Sequence, residues 1–154
     1  MRKVLLALDA GKGAAACVDA CIRLFSAAPP RSVVLLHVQQ LGGGPTLIHD
    51  RMGDTEIETL REELGRTEAF QQLEAKSRKL LETHARRLAR RGIRATKPVV
   101  RTGHVAEEIL RAAKDERAEL IIIGNTRGAI AKLVMGDVVK AVVNKAEVPV
   151  LLTR

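Results

Sequence analysis

Aromatic residues are nearly missing from this chain. It contains no Trp, no Tyr and 2 Phe, which are Phe25 and Phe70. Proteins that bind single-stranded nucleic acid use aromatic side chains on which the bases stack, and no zinc-finger or aromatic RNA-recognition pattern is present. The net charge of +8 would attract polyanions. Its densest run, residues 86–94, closes a predicted helix, where cations complement the helix dipole and face water. The sequence therefore argues against a nucleic-acid partner.

Cysteine is also scarce, and its placement indicates packing rather than chemistry. The 2 cysteines, Cys17 and Cys21, lie four residues apart on the apolar stripe of a predicted helix, with no further metal ligands nearby. Two thiols do not make a disulfide framework, which indicates a reducing compartment. We therefore expect a cytoplasmic protein with buried, unreactive cysteines and no metal.

Long apolar runs are missing as well. No stretch approaches the ~18 residues that a membrane span needs. The start, Met1-Arg2-Lys3 followed by a short apolar run ending at Asp9, lacks the small-residue cleavage site of a signal peptide. We expect neither a signal peptide nor a membrane partner.

Short apolar runs alternate with helical patterns along the whole chain. Such runs predict strands that are covered on both faces, and they occupy residues 4–8, 32–38, 93–100, 120–124 and 148–152. Pro98 and Pro149 suit edge strands, since proline cannot donate to a sheet ladder. Apolar spacing of three and four predicts the helices between them, including one stripe through Phe70, Leu73, Ser77, Leu80, His84 and Leu88. The alternation predicts one α/β domain over residues 1–154, with a parallel sheet and helices on both faces.

One region breaks this alternation. Gly42, Gly43, Gly44 and Pro45 stop any strand, and an acidic piece with Ile57, Leu60 and Leu64 at helical spacing follows. We predict a flexible loop over about residues 39–67 that leads into a long helix, and loops of that length are often functional.

Ligands of open parallel sheets bind at the carboxyl ends of the strands, where the strand order reverses. The most informative end is Gly124-Asn125-Thr126-Arg127-Gly128, which is followed by Gly136-Asp137 at the start of the last helix. Glycines let an anion approach the backbone, and free N–H groups at a helix start attract it. This stretch is therefore a candidate phosphate site.

The chain resembles the universal stress protein family from end to end, except in the loop after Val38. The resemblance rests on residues 120–124, 126–128, 135–136 and 148–151, and on residues 4–9, 36–38 and 103–110. It implies an adenine-nucleotide alpha hydrolase-like sheet ordered 3-2-1-4-5 and a homodimer paired through the fifth strand. In one branch of the family it also implies bound ATP. The nucleotide-binding candidates that it implies are Asp9, Val38, Gly124, Arg127, Gly128, Gly136, Asp137 and Val138.

The ATP-binding branch carries a loop written G-x2-G-x9-G-[ST], and this chain departs from it. Three residues separate Gly124 from Gly128, seven separate Gly128 from Gly136, and Asp137 stands at the hydroxyl position. A carboxylate repels phosphate, and it can instead cap the helix by accepting backbone N–H groups. Asp9 holds the family's adenosine-contacting position, although a polar strand end is an equally plain interpretation.

Catalytic constellations are poor. The 4 histidines, His37, His49, His84 and His104, show no metal-binding spacing, and no serine lies in a nucleophile elbow. We expect a dimeric, non-enzymatic binding or regulatory module in stress response, with weak or absent ATP binding. Its partner would be a small adenine-containing ligand or another protein. The alternative is an ATP-binding universal stress protein with slow nucleotide hydrolysis.

Overall fold

The computed structural model describes residues 1–40, 53–64, 67–125 and 136–154. Strands and helices alternate through these residues, with one additional helix between the second and third strands. The strands are β1 (Lys3–Ala7), β2 (Ser32–Gln39), β3 (Thr96–Thr102), β4 (Leu120–Gly124) and β5 (Val150–Thr153). The helices are α1 (Lys12–Phe25), α2 (Asp54–Leu64), α3 (Glu68–Ala89), α4 (Val105–Asp115) and α5 (Asp137–Lys145).

The five strands form one parallel sheet in the order β3-β2-β1-β4-β5, as predicted. The chain builds outward from β1 on one side and then returns to build β4 and β5 on the other. In the register, Leu5 lies beside Val34 of β2 and beside Ile121 of β4. The strand order therefore reverses between β1 and β4, and this is where open sheets hold ligands.

Helices cover both faces of the sheet, which explains why the central strands are apolar without alternation. Val4 and Leu6 of β1 pack into one core with α1 and α3, whereas Leu5 packs into the opposite core with α4 and α5. Both cysteines are completely buried in the first core. Burial raises the pKa of Cys17 to about 11 and that of Cys21 to about 12. Their interpretation as core residues is confirmed.

The edges of the sheet are β3 and β5, so the positions inferred from proline are confirmed. Pro98 lies within β3, opposite Leu35, and Pro149 precedes β5, where its carbonyl oxygen accepts from the Ile121 N–H at 3.0 Å. The predicted strand, residues 93–100, begins and ends earlier than β3, which spans Thr96–Thr102. Ile93 is buried beneath the end of α3, and its N–H donates to the Leu88 carbonyl oxygen at 3.1 Å. It therefore closes the helix and does not begin the strand.

The region predicted as a loop over residues 39–67 is partly regular. Gln39 is the buried last residue of β2, and residues 54–64 form α2, which is distinct from α3. Residues 41–52 and 65–66, including the glycine run and His49, lie outside the described residues. The stripe of α3 is also rotated from the predicted one. Leu81 is buried in place of Leu80, while Leu73 remains 42% exposed.

Candidate functional site

A cavity of about 430 Å³ opens at the carboxyl edge of the sheet, where β1, β2 and β4 end beside the starts of α1 and α5. Cavities of about 300–1,000 Å³ are typical of small-molecule sites. Its walls combine apolar and polar surface in similar amounts. The polar side chains of the lining are those of Asp9, His37, Gln39, Gln40, Asn125 and Asp137. This composition suits a partly apolar small molecule that is oriented by hydrogen bonds.

The structure brings most of the predicted site residues to this cavity. Five of them, besides Asp9, line it together: Val38, Gly124, Gly136, Asp137 and Val138. Val38 and Val138 are half-buried, so each offers an apolar surface to a bound group. Arg127 and Gly128 lie outside the described residues, as do residues 126–135 between β4 and Gly136.

Asp9 lies at the end of β1 and shapes the turn into α1. Its Oδ1 accepts a hydrogen bond from the Gly11 N–H at 2.9 Å, the local pattern by which Asp begins a turn. Gly11 is the N-cap residue of α1, and it has no side chain that could cap the helix. The carboxylate therefore lies near the positive end of the α1 dipole, at the mouth of the cavity. The structure therefore confirms Asp9 as a polar strand end that forms the turn and also lines the cavity, and its contact with adenosine stays a prediction.

His37 joins β2 to β1 at the floor of the cavity. Its Nδ1 lies 2.7 Å from the carbonyl oxygen of Leu8. Because a carbonyl oxygen can only accept, Nδ1 must carry the hydrogen, and in the neutral ring Nε2 is then an acceptor. The structural role predicted for His37 is therefore present, and a hydrogen-bond acceptor remains on the same ring.

Gln39 is a part of the site that sequence reasoning missed. It is only 3% exposed, and its Nε2 donates to Ser77 Oγ at 2.9 Å. Its Oε1 accepts from Thr102 Oγ1 at 3.4 Å. This buried network joins β2, α3 and β3 behind the cavity wall. A glutamine directly after an apolar run is the available signal, but the glycine-rich segment that follows makes Gln39 read as the start of the loop.

Leu73 and Asn125 also line the cavity, although neither is among the site residues predicted from the sequence. Leu73 accounts for the unexpected exposure on α3, because its side chain borders the opening beside Val38 and Gln40. Asn125 follows β4 directly, and its N–H donates to the Thr153 carbonyl oxygen at 2.9 Å. The glycine pattern points to Gly124 and Gly128 and gives no signal for Asn125.

Asp137 does not cap α5, so that interpretation was wrong. The N-cap residue is Gly136, which makes no side-chain cap hydrogen bond, and Asp137 is the first residue of the helix, with an exposed side chain. The first N–H groups of a helix have no partner within it. The Asp137 carboxylate therefore lies beside the cavity at the positive end of α5. The helix dipole stabilises its negative charge, and that charge repels other anions.

Metal-ligating side chains do not cluster in the described part of the chain. Within those ranges no cluster of three or more His, Cys, Asp or Glu side chains could hold a metal ion. Among the helices described there, none has the length and apolar composition to cross a bilayer.

Comparison with known proteins agrees with this geometry. A family model described as the universal stress protein family matches residues 1–154. No curated protein matched the sequence. A hypothetical protein that was the subject of a structure-based assignment of biochemical function has a similar structure, with a TM-score of 0.74 and 24% identity. The match covers 99% of this chain and 94% of that one.

Universal stress protein UspA from Lactobacillus plantarum is similar at a TM-score of 0.71 and 19% identity, over 99% of this chain and 97% of that one. A universal stress protein family protein from Arabidopsis thaliana with AMP bound has a TM-score of 0.66 and 18% identity, over 99% and 91% of the two chains. Further universal stress proteins with this fold are described as complexes with cAMP and with dAMP.

Proposed function

Since the chain belongs to the universal stress protein family, we propose that it is a dimeric binding and regulatory module in stress response. In this proposal its carboxyl-edge cavity takes a small adenine-containing ligand, and ATP binds weakly or not at all. The observation that carries the proposal is the cavity at the β1/β4 reversal, whose partly apolar walls include the His37 imidazole and the Asp9 carboxylate.

The lining of the cavity and the ligands of the relatives support this class of ligand. Val38, Leu73 and Val138 offer apolar surface on which a purine ring can pack, while Asp9 can accept from ribose hydroxyl groups. Relatives are described with AMP, cAMP and dAMP bound, and each of these nucleotides carries one phosphate group. A ligand with little negative charge also fits the Asp137 carboxylate at the start of α5.

A binding role is favoured over turnover by the chemistry of the described residues. The thiols of Cys17 and Cys21 are buried, and burial raises the pKa of both, so little of either is the nucleophilic thiolate at neutral pH. The Nδ1 of His37 is engaged with the Leu8 carbonyl oxygen. We therefore propose that a bound ligand is sensed and released unchanged.

The dimer is supported by the free side of β5. That strand pairs with β4 on one side and ends the sheet on the other, and its Val150, Leu151 and Leu152 are all half-buried. An apolar edge strand tends to be covered by another chain. Pairing of two copies through this edge would extend the sheet without moving the cavity.

Calorimetric titration of adenosine, AMP and ATP into the purified protein tests the ligand. We expect affinity to fall in that order as charge increases. Denaturation of the purified protein followed by mass spectrometry would identify a ligand that is retained through purification. ATP binding tighter than adenosine binding, or ADP formed on incubation with ATP, would favour the nucleotide-hydrolysing alternative instead.

A further inference from the structure

The edge of the sheet opposite the cavity carries an unusual set of arginines. Because the strands are parallel and the helices return antiparallel to them, the strand starts and helix ends meet at this amino edge. The Arg2 carbonyl oxygen accepts from the Ser32 N–H at 3.0 Å, and the Ala95 carbonyl oxygen accepts from the Val33 N–H at 2.8 Å. These bonds place the starts of β1, β2 and β3 side by side. On the same face, α1 and α3 both run back toward this edge, and an ion pair joins Arg87, in the last turn of α3, to Asp19, about two turns before the end of α1.

We define the basic corner as the exposed arginines at these ends, which are Arg23, Arg31, Arg86, Arg90, Arg91 and Arg94. Among the described residues, no carboxylate lies within ion-pair distance of any of them. Three acids of the same edge are engaged elsewhere, while Glu147, between α5 and β5, is exposed. Asp19 pairs with Arg87, Glu116 pairs with Lys3 and Lys97, and Glu119 accepts from the Arg2 N–H. The basic corner therefore carries uncompensated positive charge.

Capping of α3 does not account for these arginines. The carbonyl oxygens of Arg86, Leu88 and Ala89 already accept backbone N–H groups from residues 90–93. Gly92, with φ of +87°, supplies the left-handed turn that closes the helix. The guanidinium groups therefore face water and remain available to an anionic partner, although those near the end of α3 also interact favourably with the negative end of its dipole.

An apolar tip lies beside the basic corner. Leu24, in the last turn of α1, is 56% exposed, and Ala27, Ala28 and Pro29 in the turn that follows are exposed as well. Arg23 and Arg31 stand on either side of this tip in the sequence. Phosphate groups alone would gain nothing from an exposed leucine. A bilayer with anionic headgroups attracts cations near its surface and also takes up apolar side chains.

From this combination we propose that the amino edge is a peripheral docking surface for anionic lipid membranes. The apolar tip enters the headgroup region, and the basic corner contacts the lipid phosphates. The expectation of no membrane partner depends on the lack of a membrane-spanning segment, and a peripheral contact does not need one. Docking would leave the cavity, roughly 20 Å away at the other end of the strands, facing water. Lipid docking and ligand binding are therefore expected to be independent.

The test is co-sedimentation of the untagged, full-length protein with vesicles of phosphatidylcholine alone or mixed equally with phosphatidylglycerol. The protein should pellet with the mixed vesicles at about 0.05 M salt and be released from them at about 0.5 M salt. With vesicles of pure phosphatidylcholine it should stay in the supernatant. Arg90→Gln with Arg94→Gln should lower the affinity by roughly tenfold or more. The matched control is Lys76→Gln with Lys79→Gln. It removes equal charge from an exposed part of α3 that lies about 15 Å or more from Arg90 along the helix axis. It should change the affinity little.

Leu24→Ser separates lipid from other polyanions, since it leaves the charge unchanged. We expect it to weaken vesicle binding several-fold and to leave binding of a short DNA duplex unaltered. Circular dichroism of each variant shows whether the fold is retained. Failure of the wild type to bind the mixed vesicles at low salt would overturn the proposal. Equal losses in the two double variants would also overturn it, as would duplex binding tighter than vesicle binding with no effect of Leu24→Ser.

Discussion

Gly124, at the end of β4, lies directly against the backbone of Gly13 in the first turn of α1. A Cβ atom added at Gly124 would stand 2.9 Å from both the Cα atom and the carbonyl oxygen of Gly13. Both contacts are with backbone, so no side chain could rotate away to relieve them. This close approach sets the distance between the α1 start and the β4 end, and both line the cavity. Gly124 therefore has a packing role that is independent of any phosphate.

Gly124→Ala should consequently destabilise the protein by about 1–3 kcal/mol, because α1 must move away from the sheet. Urea unfolding followed by circular dichroism measures the change in the free energy of unfolding. Gly53→Ala is the matched control, since a Cβ atom there would meet nothing within 4 Å. An equal, small effect of the two substitutions would show that the Gly13 contact relaxes without cost.

His84 should make the stability depend on pH. Its Nδ1 is buried without a hydrogen-bond partner, and burial, assisted by the nearby Arg87, lowers the pKa of the ring in the folded state. The unfolded chain then takes up a proton near pH 6.5, where the folded chain does not. The contribution of His84 is therefore fully present above about pH 6.5 and decreases as the pH falls through that value.

His84→Leu removes both the unpaired nitrogen and this titration. We expect the variant to be more stable than the wild type by about 1 kcal/mol at pH 7.5. We also expect it to lose less stability between pH 7.5 and pH 5, as measured by urea unfolding at each pH. His104→Gln serves as the control and should retain the decline of the wild type. A decline in His84→Leu as steep as that of the wild type would assign the dependence to other groups.

The sheet could be predicted from the sequence because its central strands are buried on both faces. The runs in β1, β2 and β4 are continuous in apolar residues, and prolines mark the two edge strands. The bounds of β3 were less certain, since Ile93 is equally apolar whether it begins a strand or closes α3. Burial decides this, and burial depends on how α3 packs against the sheet.

The candidate site was predictable only in part, for a similar reason. Asp9, Val38 and Gly124 follow strands directly, so topology alone brings them to one edge. Gln39 and Leu73 come together through the packing of α3 on β2, a contact between segments that are far apart in sequence. Asp137 was placed correctly at the start of α5. Whether it caps the helix depends on one backbone conformation, and Gly136 takes the cap position.

Val150→Asp should shift the protein from dimer to monomer, because a charge would then lie on the apolar edge of β5 that we propose to be paired. Light scattering at tens of micromolar, on the order of tenfold above a Kd near 1 μM, measures the dimer fraction. Val99→Asp is the matched control, since Val99 is likewise half-buried on the same face of the sheet but in the opposite edge strand, β3. A wild-type monomer, or equal dissociation by both substitutions, would contradict pairing through β5.

Asp137→Ser should improve ATP binding by roughly ten- to a hundredfold, or about 1–3 kcal/mol. The substitution removes a carboxylate from the positive end of α5 and supplies a hydroxyl group that can donate to a phosphate oxygen. Calorimetric titration of adenosine and ATP into both proteins measures the effect, and adenosine affinity should remain close to that of the wild type. Glu147→Ser, just beyond the other end of α5, removes the same charge and should leave ATP binding unchanged. If the Asp137→Ser protein binds adenosine but still ignores ATP, the short spacing between Gly128 and Gly136 is the obstacle instead. If both serine variants gain equally, net charge accounts for the change, and the position of Asp137 beside the cavity has no special role.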